Sequence, residues 1–166
     1  MRVIVSDSSP IRYIVLIGEA RIIGMLYGRI LIPEAVYSEL QQQQTPESVR
    51  AWLRNSVECV EVVPAKQLQT EALVSSALHS GERAAIGLAL YLNADLLLMD
   101  ERAGTEEARR LGLNVTGTLG ILARGAERGF VDLNAAVDKL RATNFRISPE
   151  ILAQILAGDE GSSKTA

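Results

Sequence analysis

Four acidic residues stand where a folded chain has little structural use for a charge. Asp7 follows the apolar run VIVS, Asp100 follows LLLM, Glu39 lies in PEAVYSEL, and Glu82 lies in SGERAAIGLAL. Carboxylates gathered within a few ångströms repel one another unless protons or cations intervene. Oxygen donors without cysteine or histidine suit Mg²⁺ or Mn²⁺, and such ions act on phosphates. A pair of them can hold an attacking water and the leaving oxygen of a phosphodiester. Each acid also has a local explanation. Asp7 can cap a helix. Glu39 borders the apolar stripe set by Val36 and Leu40, where its stem can pack. Glu82 falls in a first helical turn, where the dipole favours an anion by ~0.3–1 kcal/mol.

The four converge only if the surrounding elements bring them together. Arg2 to Ser6 has the pattern of a short buried strand, with Ser9 as N-cap and Pro10 as first residue of a helix. The segment IRYIVLIGEARIIGMLYG has helical spacing broken near Gly18, which predicts two short helices. A second strand covers Arg29 to Ile32, and helices follow in PEAVYSELQQQQ and PESVRAWLRN. CVEVVP predicts a strand, and Lys66 to Leu78 a helix. Ser80 is the expected cap of GERAAIGLALYLN, a helix apolar nearly all round and therefore buried. Asp95 to Met99 predicts a strand, Arg102 to Leu111 a helix, and Leu113 to Val115 a last strand. Helices from about Thr118, Asp132 and Ser148 complete the chain. Strands alternating with helices, with VIV and LLLM apolar on both faces, predict an α/β fold: a parallel sheet covered on both sides. In such a sheet ligands bind beyond the carboxyl ends of the strands. Asp7 and Asp100 would then rise from one edge.

The totals set bounds. The chain has 166 residues, enough for one domain, expected over residues 1–157 with a polar, frayed tail at 158–166. Hydrophobic content is 48% but aromatics are only 4%, which favours helices on an aliphatic sheet over disorder or an aromatic-rich sandwich. No apolar run is long enough to span a membrane, and MRVIVSDSSP is too short in apolar length for a signal peptide. Cys59 is the single cysteine, so an intrachain disulfide and a cysteine-based zinc site are excluded. A cytoplasmic location is the default. The net charge of −3 excludes a strongly basic nucleic-acid binder. The four acids account for four negative charges, so the rest of the chain sums to +1 and need not repel RNA.

Other chemistry finds less support. His79 is the only histidine, and no partner is evident for a nucleophilic triad. Gly117 and Gly120 lack P-loop spacing and a following lysine. Arg102, Arg109, Arg110, Arg124 and Arg128 could hold phosphates, or could pair along their helices, Glu106 with Arg109 or Arg110 for example.

Asp7 with Ser9 after the first strand, Glu39 in PEAVYSEL, Glu82 in SGERAAIGLAL, and Asp100 in LLLMDE resemble the acidic signature of PIN domains. The likeness is closest to a subgroup with the motifs SDxSP, PxxVxxE and GExxAIxLA, ending in GTxG as in VTGTLGIL. It extends from about Val3 to Leu133. The resemblance implies a three-layer α/β/α sandwich and an Mg²⁺- or Mn²⁺-dependent ribonuclease, VapC-type toxins included. It implies Asp7, Glu39, Glu82 and Asp100 as metal ligands and catalytic residues, with Ser9 behind them. Glu101, adjacent to Asp100, is an alternative or additional ligand. Glu82 stands where many members carry aspartate, and its longer side chain can bind through water.

Two functions follow. The first is a metal-dependent endoribonuclease cutting single-stranded RNA. Toxin-like relatives further imply a homodimer and an antitoxin partner. For that partner, Ile11, Ile14, Val15, Ile22, Ile23, Met25 and Leu26 offer either a docking surface or additional core. The second is a non-catalytic, metal-free PIN-like module that binds a partner. A phospho-acceptor receiver would need an acidic pair after strand one and a lysine after the last strand; SDSSP and VTGT supply neither.

Overall fold

The computed structural model describes residues 1–65 and 68–163. Its centre is a five-stranded, wholly parallel sheet of order β3-β2-β1-β4-β5. The strands are β1 (Ile4–Ser6), β2 (Ile30–Pro33), β3 (Val60–Val63), β4 (Leu96–Leu98) and β5 (Val115–Thr116). Helices α1 (Ser8–Leu16), α2 (Arg21–Tyr27), α3 (Glu34–Leu40), α4 (Glu47–Asn55) and α5 (Leu68–Glu71) lie between β1 and β4, together with α6 (Ser80–Tyr91). Helix α7 (Arg102–Arg110) joins β4 to β5, and α8 (Thr118–Glu127), α9 (Leu133–Arg141) and α10 (Pro149–Ser163) follow. Among the described residues no helix is long and apolar enough to cross a membrane.

The chain winds outward from β1 to β2 and β3, then returns to place β4 on the other side of β1. The strand order therefore reverses between β1 and β4, the position where open parallel sheets bind ligands. Their register is Ile4 with Leu96, Val5 with Leu97, and Ser6 with Leu98. The Asp7 N–H extends the ladder to the Leu98 carbonyl at 2.9 Å. Both strands are largely buried and mainly aliphatic, with Ser6 at the end of β1 satisfied by donating to the Asp7 carbonyl at 2.8 Å. Beyond the strand ends the carboxylates of Asp7 and Asp100 follow at the edge.

Helix α6 covers this central pair. Ala84, Ala85, Ile86, Leu88 and Ala89 are all buried, matching its apolar sequence. Ile11, Ile14, Val15, Ile22 and Ile23 are buried too, and Leu26 packs against them; Met25 alone of the seven is substantially exposed, at 47%. The apolar excess of the early helices is therefore core.

Several boundaries differ from the sequence expectation. Asp7, not Ser9, is the N-cap of α1, so Pro10 occupies the third helical position, where its missing N–H still costs nothing. His79 rather than Ser80 precedes α6. Gln42 to Gln44 leave the helix as a turn. The predicted helix at Lys66–Leu78 shrinks to four residues in α5, and its first two positions lie outside the described residues. The last strand sits two residues later, because Leu113 N–H closes the end of α7 onto the Ala108 carbonyl at 3.0 Å. Helix α10 is drawn through Ser163, past the expected tail boundary at 158, and residues 164–166 lie outside the described residues.

Candidate metal centre

Asp7 ends β1 and is 3% exposed. It occupies the N-cap position of α1 yet accepts no capping hydrogen bond, and its Oδ1 is buried without a partner. Capping does not account for it. Burial pushes its pKa up to about 7; the Ser8 N–H opposes the shift, and the carboxylates of Glu39, Glu82 and Asp100 reinforce it.

Glu39 comes from the last turn of α3, which packs on α1 and α6. Ser8 Oγ donates to its Oε1 at 3.1 Å. Thr45, itself buried, donates to the Glu39 backbone carbonyl at 3.3 Å and closes the turn behind it. Gly81 sets the clearance here. A Cβ at that position would collide with the Glu39 carboxylate and lie 3.8 Å from Asp7 Oδ1. The two acids therefore reach the same spot at the start of α6, and a Cβ there would displace the Glu39 carboxylate.

Glu82 follows directly, in the first turn of α6, and accepts from the His79 N–H at 3.4 Å. Its pKa is raised by partial burial; His79 opposes the rise, and Glu101 and Glu39 add to it. Asp100 closes the group from β4. Thr118 donates to it twice, from its N–H to Oδ1 at 2.7 Å and from Oγ1 to Oδ2 at 2.7 Å. Burial raises its pKa, Thr118 opposes this, and Glu101 contributes to the rise. Gly117 makes the approach possible, since a Cβ there would stand 2.6 Å from Asp100 Oδ1. Glu101 is exposed and is the N-cap of α7.

The acids thus sit against four helix N-termini: Asp7 at α1, Glu82 at α6, Glu101 at α7 and Asp100 at α8. The dipoles offset part of their mutual repulsion, each by ~0.3–1 kcal/mol. Two cavities beside the site divide the acids between them. Asp100 and Glu101 line a cavity of about 260 Å³ with Ser9. Glu39 lines another of about 450 Å³ with Ser38, Gln42 and His79. No three acidic, histidine or cysteine residues form a ready ion-binding cluster among the described residues. Each peripheral carboxylate rests instead on a protein donor: Ser8, the His79 N–H or Thr118. Asp7 Oδ1 is left unpartnered between them. The donor set is all oxygen, and a buried lone oxygen among like charges is the environment a hard divalent cation relieves. The donor chemistry is that of a hard divalent cation, while the side chains as placed are not drawn together around one.

Sequence reasoning singled out Ser9, but Ser8 makes the bond to Glu39. Nor was Thr118 singled out, although GT after a short strand is a helix-start signal that marks it. The arginines pair mostly within their helices: Arg102 with Glu106 at 2.9 Å, Arg110 with Glu107 at 2.9 Å, and Arg124 with Glu127 at 3.0 Å. Glu106 therefore serves Arg102, not Arg109 or Arg110. The Arg128 guanidinium lies 5.7 Å from the Phe130 ring centre.

A parallel sheet reversing at β1/β4, with acids following both strands and helices on both faces, defines an α/β/α sandwich with its acidic residues gathered at that edge. A family model described as a PIN domain matches residues 3–160. The chain belongs to the PIN domain family, whose fold is nuclease-like. A comparison with curated proteins finds no match.

Proposed function

We propose that this PIN domain is an Mg²⁺- or Mn²⁺-dependent endoribonuclease that hydrolyses phosphodiester bonds of single-stranded RNA. The observation that carries the reading is Asp7: a buried carboxylate with an unpartnered oxygen, a pKa raised to about 7, and three further acids acting on it. Asp7, Glu39, Glu82 and Asp100 would hold the cation, with Glu101 at the rim. Bound there, the cation would supply charge stabilisation for the phosphoryl group and lower the pKa of the attacking water. Ser8 orients Glu39 and Thr118 orients Asp100, so both carboxylates are aimed before substrate arrives. Paired arginines leave the outer surface without a strong basic field, which suits a single strand held near the acids more than a duplex gripped along its backbone.

The second reading, a metal-free partner-binding module, draws on one observation: both Asp100 oxygens are already satisfied by Thr118. Titration calorimetry with Mn²⁺ separates the two. The nuclease reading expects saturable binding that Asp7→Asn abolishes, and no heat of binding would favour the module.

Toxicity, an antitoxin and a homodimer are implications of the resemblance to VapC-type toxins, a cytoplasmic location remains the default reading of the sequence, and burial of the early-helix apolar residues removes the surface argument for the antitoxin. The test is growth on induction of the chain against Asp7→Asn. Equal growth of the two strains would argue against a toxin and leave a housekeeping nuclease or the binding module.

A further inference from the structure

One cavity beside the acids is lined by residues that no catalytic role has absorbed. With Asp100 and Glu101 it is lined by Tyr13 of α1 and by Asn144, Phe145 and Arg146 of the connector between α9 and α10. The two rings pack edge to face, with centroids 4.9 Å apart and planes at 75°. Tyr13 Oη donates to Asn144 Oδ1 at 2.8 Å, which commits the amide oxygen and leaves its NH₂ to donate elsewhere. The connector is held in shape: Thr143 Oγ1 donates to the Leu140 carbonyl at 2.6 Å and accepts from the Phe145 N–H at 3.1 Å. Phe145 and Ile147 anchor it on the core. Arg146 is exposed and makes no ion pair among the described residues, although two carboxylates line the same cavity. It is a cation free to take an anion from outside the chain.

We propose that this cavity seats one nucleotide of the RNA strand, next to the phosphodiester over Asp7 and Asp100. The base packs on the Tyr13–Phe145 pair, the Asn144 amide donates to an acceptor on the base edge, and Arg146 takes the flanking phosphate. The combination is the one single-stranded nucleic acid requires: an aromatic platform for the base and a cation for the backbone. At about 260 Å³ the cavity falls just below the ~300–1,000 Å³ of drug-sized ligand sites, which suits a single nucleotide rather than a helix. Asp100 and Glu101 line it too, so a nucleotide in it would be continuous with the reacting phosphate. The proposal rests on the ribonuclease reading for the identity of its ligand.

The test uses the full chain, Arg146→Ala and Asn144→Ala, with thermal unfolding to check each fold. Binding of a fluorescein-labelled single-stranded RNA hexamer is read by anisotropy in Ca²⁺, with the probe recovered intact. Hydrolysis of bis(p-nitrophenyl) phosphate in Mn²⁺ reports the acids without a nucleotide. Both variants are expected to bind the hexamer about tenfold more weakly. Arg146→Ala should also reduce the salt slope of binding by about one phosphate contact. Both should hydrolyse the simple diester within twofold of wild type. If wild type binds the hexamer and the variants weaken that binding, but no form cleaves either ester, the subsite stands and the ribonuclease reading falls. Hexamer binding absent in wild type, or equal in all three proteins, overturns the subsite. So does a parallel loss of hexamer binding and diester hydrolysis, which would mean the connector merely supports the acids.

Discussion

At the scale of the residue, the unusual group is Asp7. Its folded pKa of about 7 stands above the 3.8 of an ordinary aspartate, first because of burial. Between these values the folded chain keeps a proton that the unfolded chain has released. Stability of the metal-free protein should therefore fall as pH rises from about 4 to about 7, by about 2–4 kcal/mol for this group. Glu82 and Asp100, also raised, add in the same direction. Urea unfolding in EDTA at pH 5 and pH 8 measures it. Asp7→Asn should flatten the profile, raise stability at pH 8, and abolish RNA cleavage. An unchanged slope in the variant would place the proton elsewhere. The fourth acid is tested in the same assay. Asp100→Asn is expected to cost more activity than Glu101→Gln, because Asp100 is aimed by two bonds while Glu101 is exposed at a helix start. A larger loss from Glu101→Gln would reverse the assignment.

At the scale of the element, the site is an assembly of helix starts against two strand ends, and small residues set its clearances. Gly81→Ala would drive a Cβ into the Glu39 carboxylate, which cannot retreat without giving up its bond from Ser8. Activity should fall at least tenfold, while α6, already favoured by alanine, keeps its helicity. Circular dichroism and cleavage rates on one preparation measure both. Thr118→Ala removes one of the two bonds on Asp100 and leaves the backbone one. A 10–100-fold loss in metal affinity is expected, the usual cost of losing a group that orients a ligand. Thr118→Ser should restore most of it. Failure of serine to rescue would assign Thr118 to packing instead.

At the scale of the molecule, the reversal of strand order at β1 and β4 brings together residues separated by ninety positions of chain. Repulsion among the acids is a cost to the empty fold that a divalent cation would relieve. Saturating Mn²⁺ should raise the melting temperature at pH 8, by mass action worth ~2.7 kcal/mol at a hundred times Kd, and much less at pH 5, where protons compete. Scanning calorimetry at the two pH values tests it. An equal shift at both would point to binding away from the raised carboxylates.

The sequence by itself determined the alternation of strands and helices and the apolar runs that end at Asp7 and Asp100. Those are properties of short windows, where burial on both faces demands aliphatic residues and a strand end releases the demand. It also carried the motif likeness that the family match bears out. It misjudged the starts of α1 and α6, where caps one or two residues apart compete on nearly equal terms until packing chooses, the length of α5, and the place of β5, which the closure of α7 onto Ala108 sets. Only the tertiary structure decided that the apolar residues of α1 and α2 are mostly core, that Ser8 rather than Ser9 holds Glu39, and that Thr118 holds Asp100. It alone set Tyr13 against Asn144 across 131 residues of chain. Contacts of that separation leave no local pattern, since each partner satisfies its own window equally well whether or not the other is there.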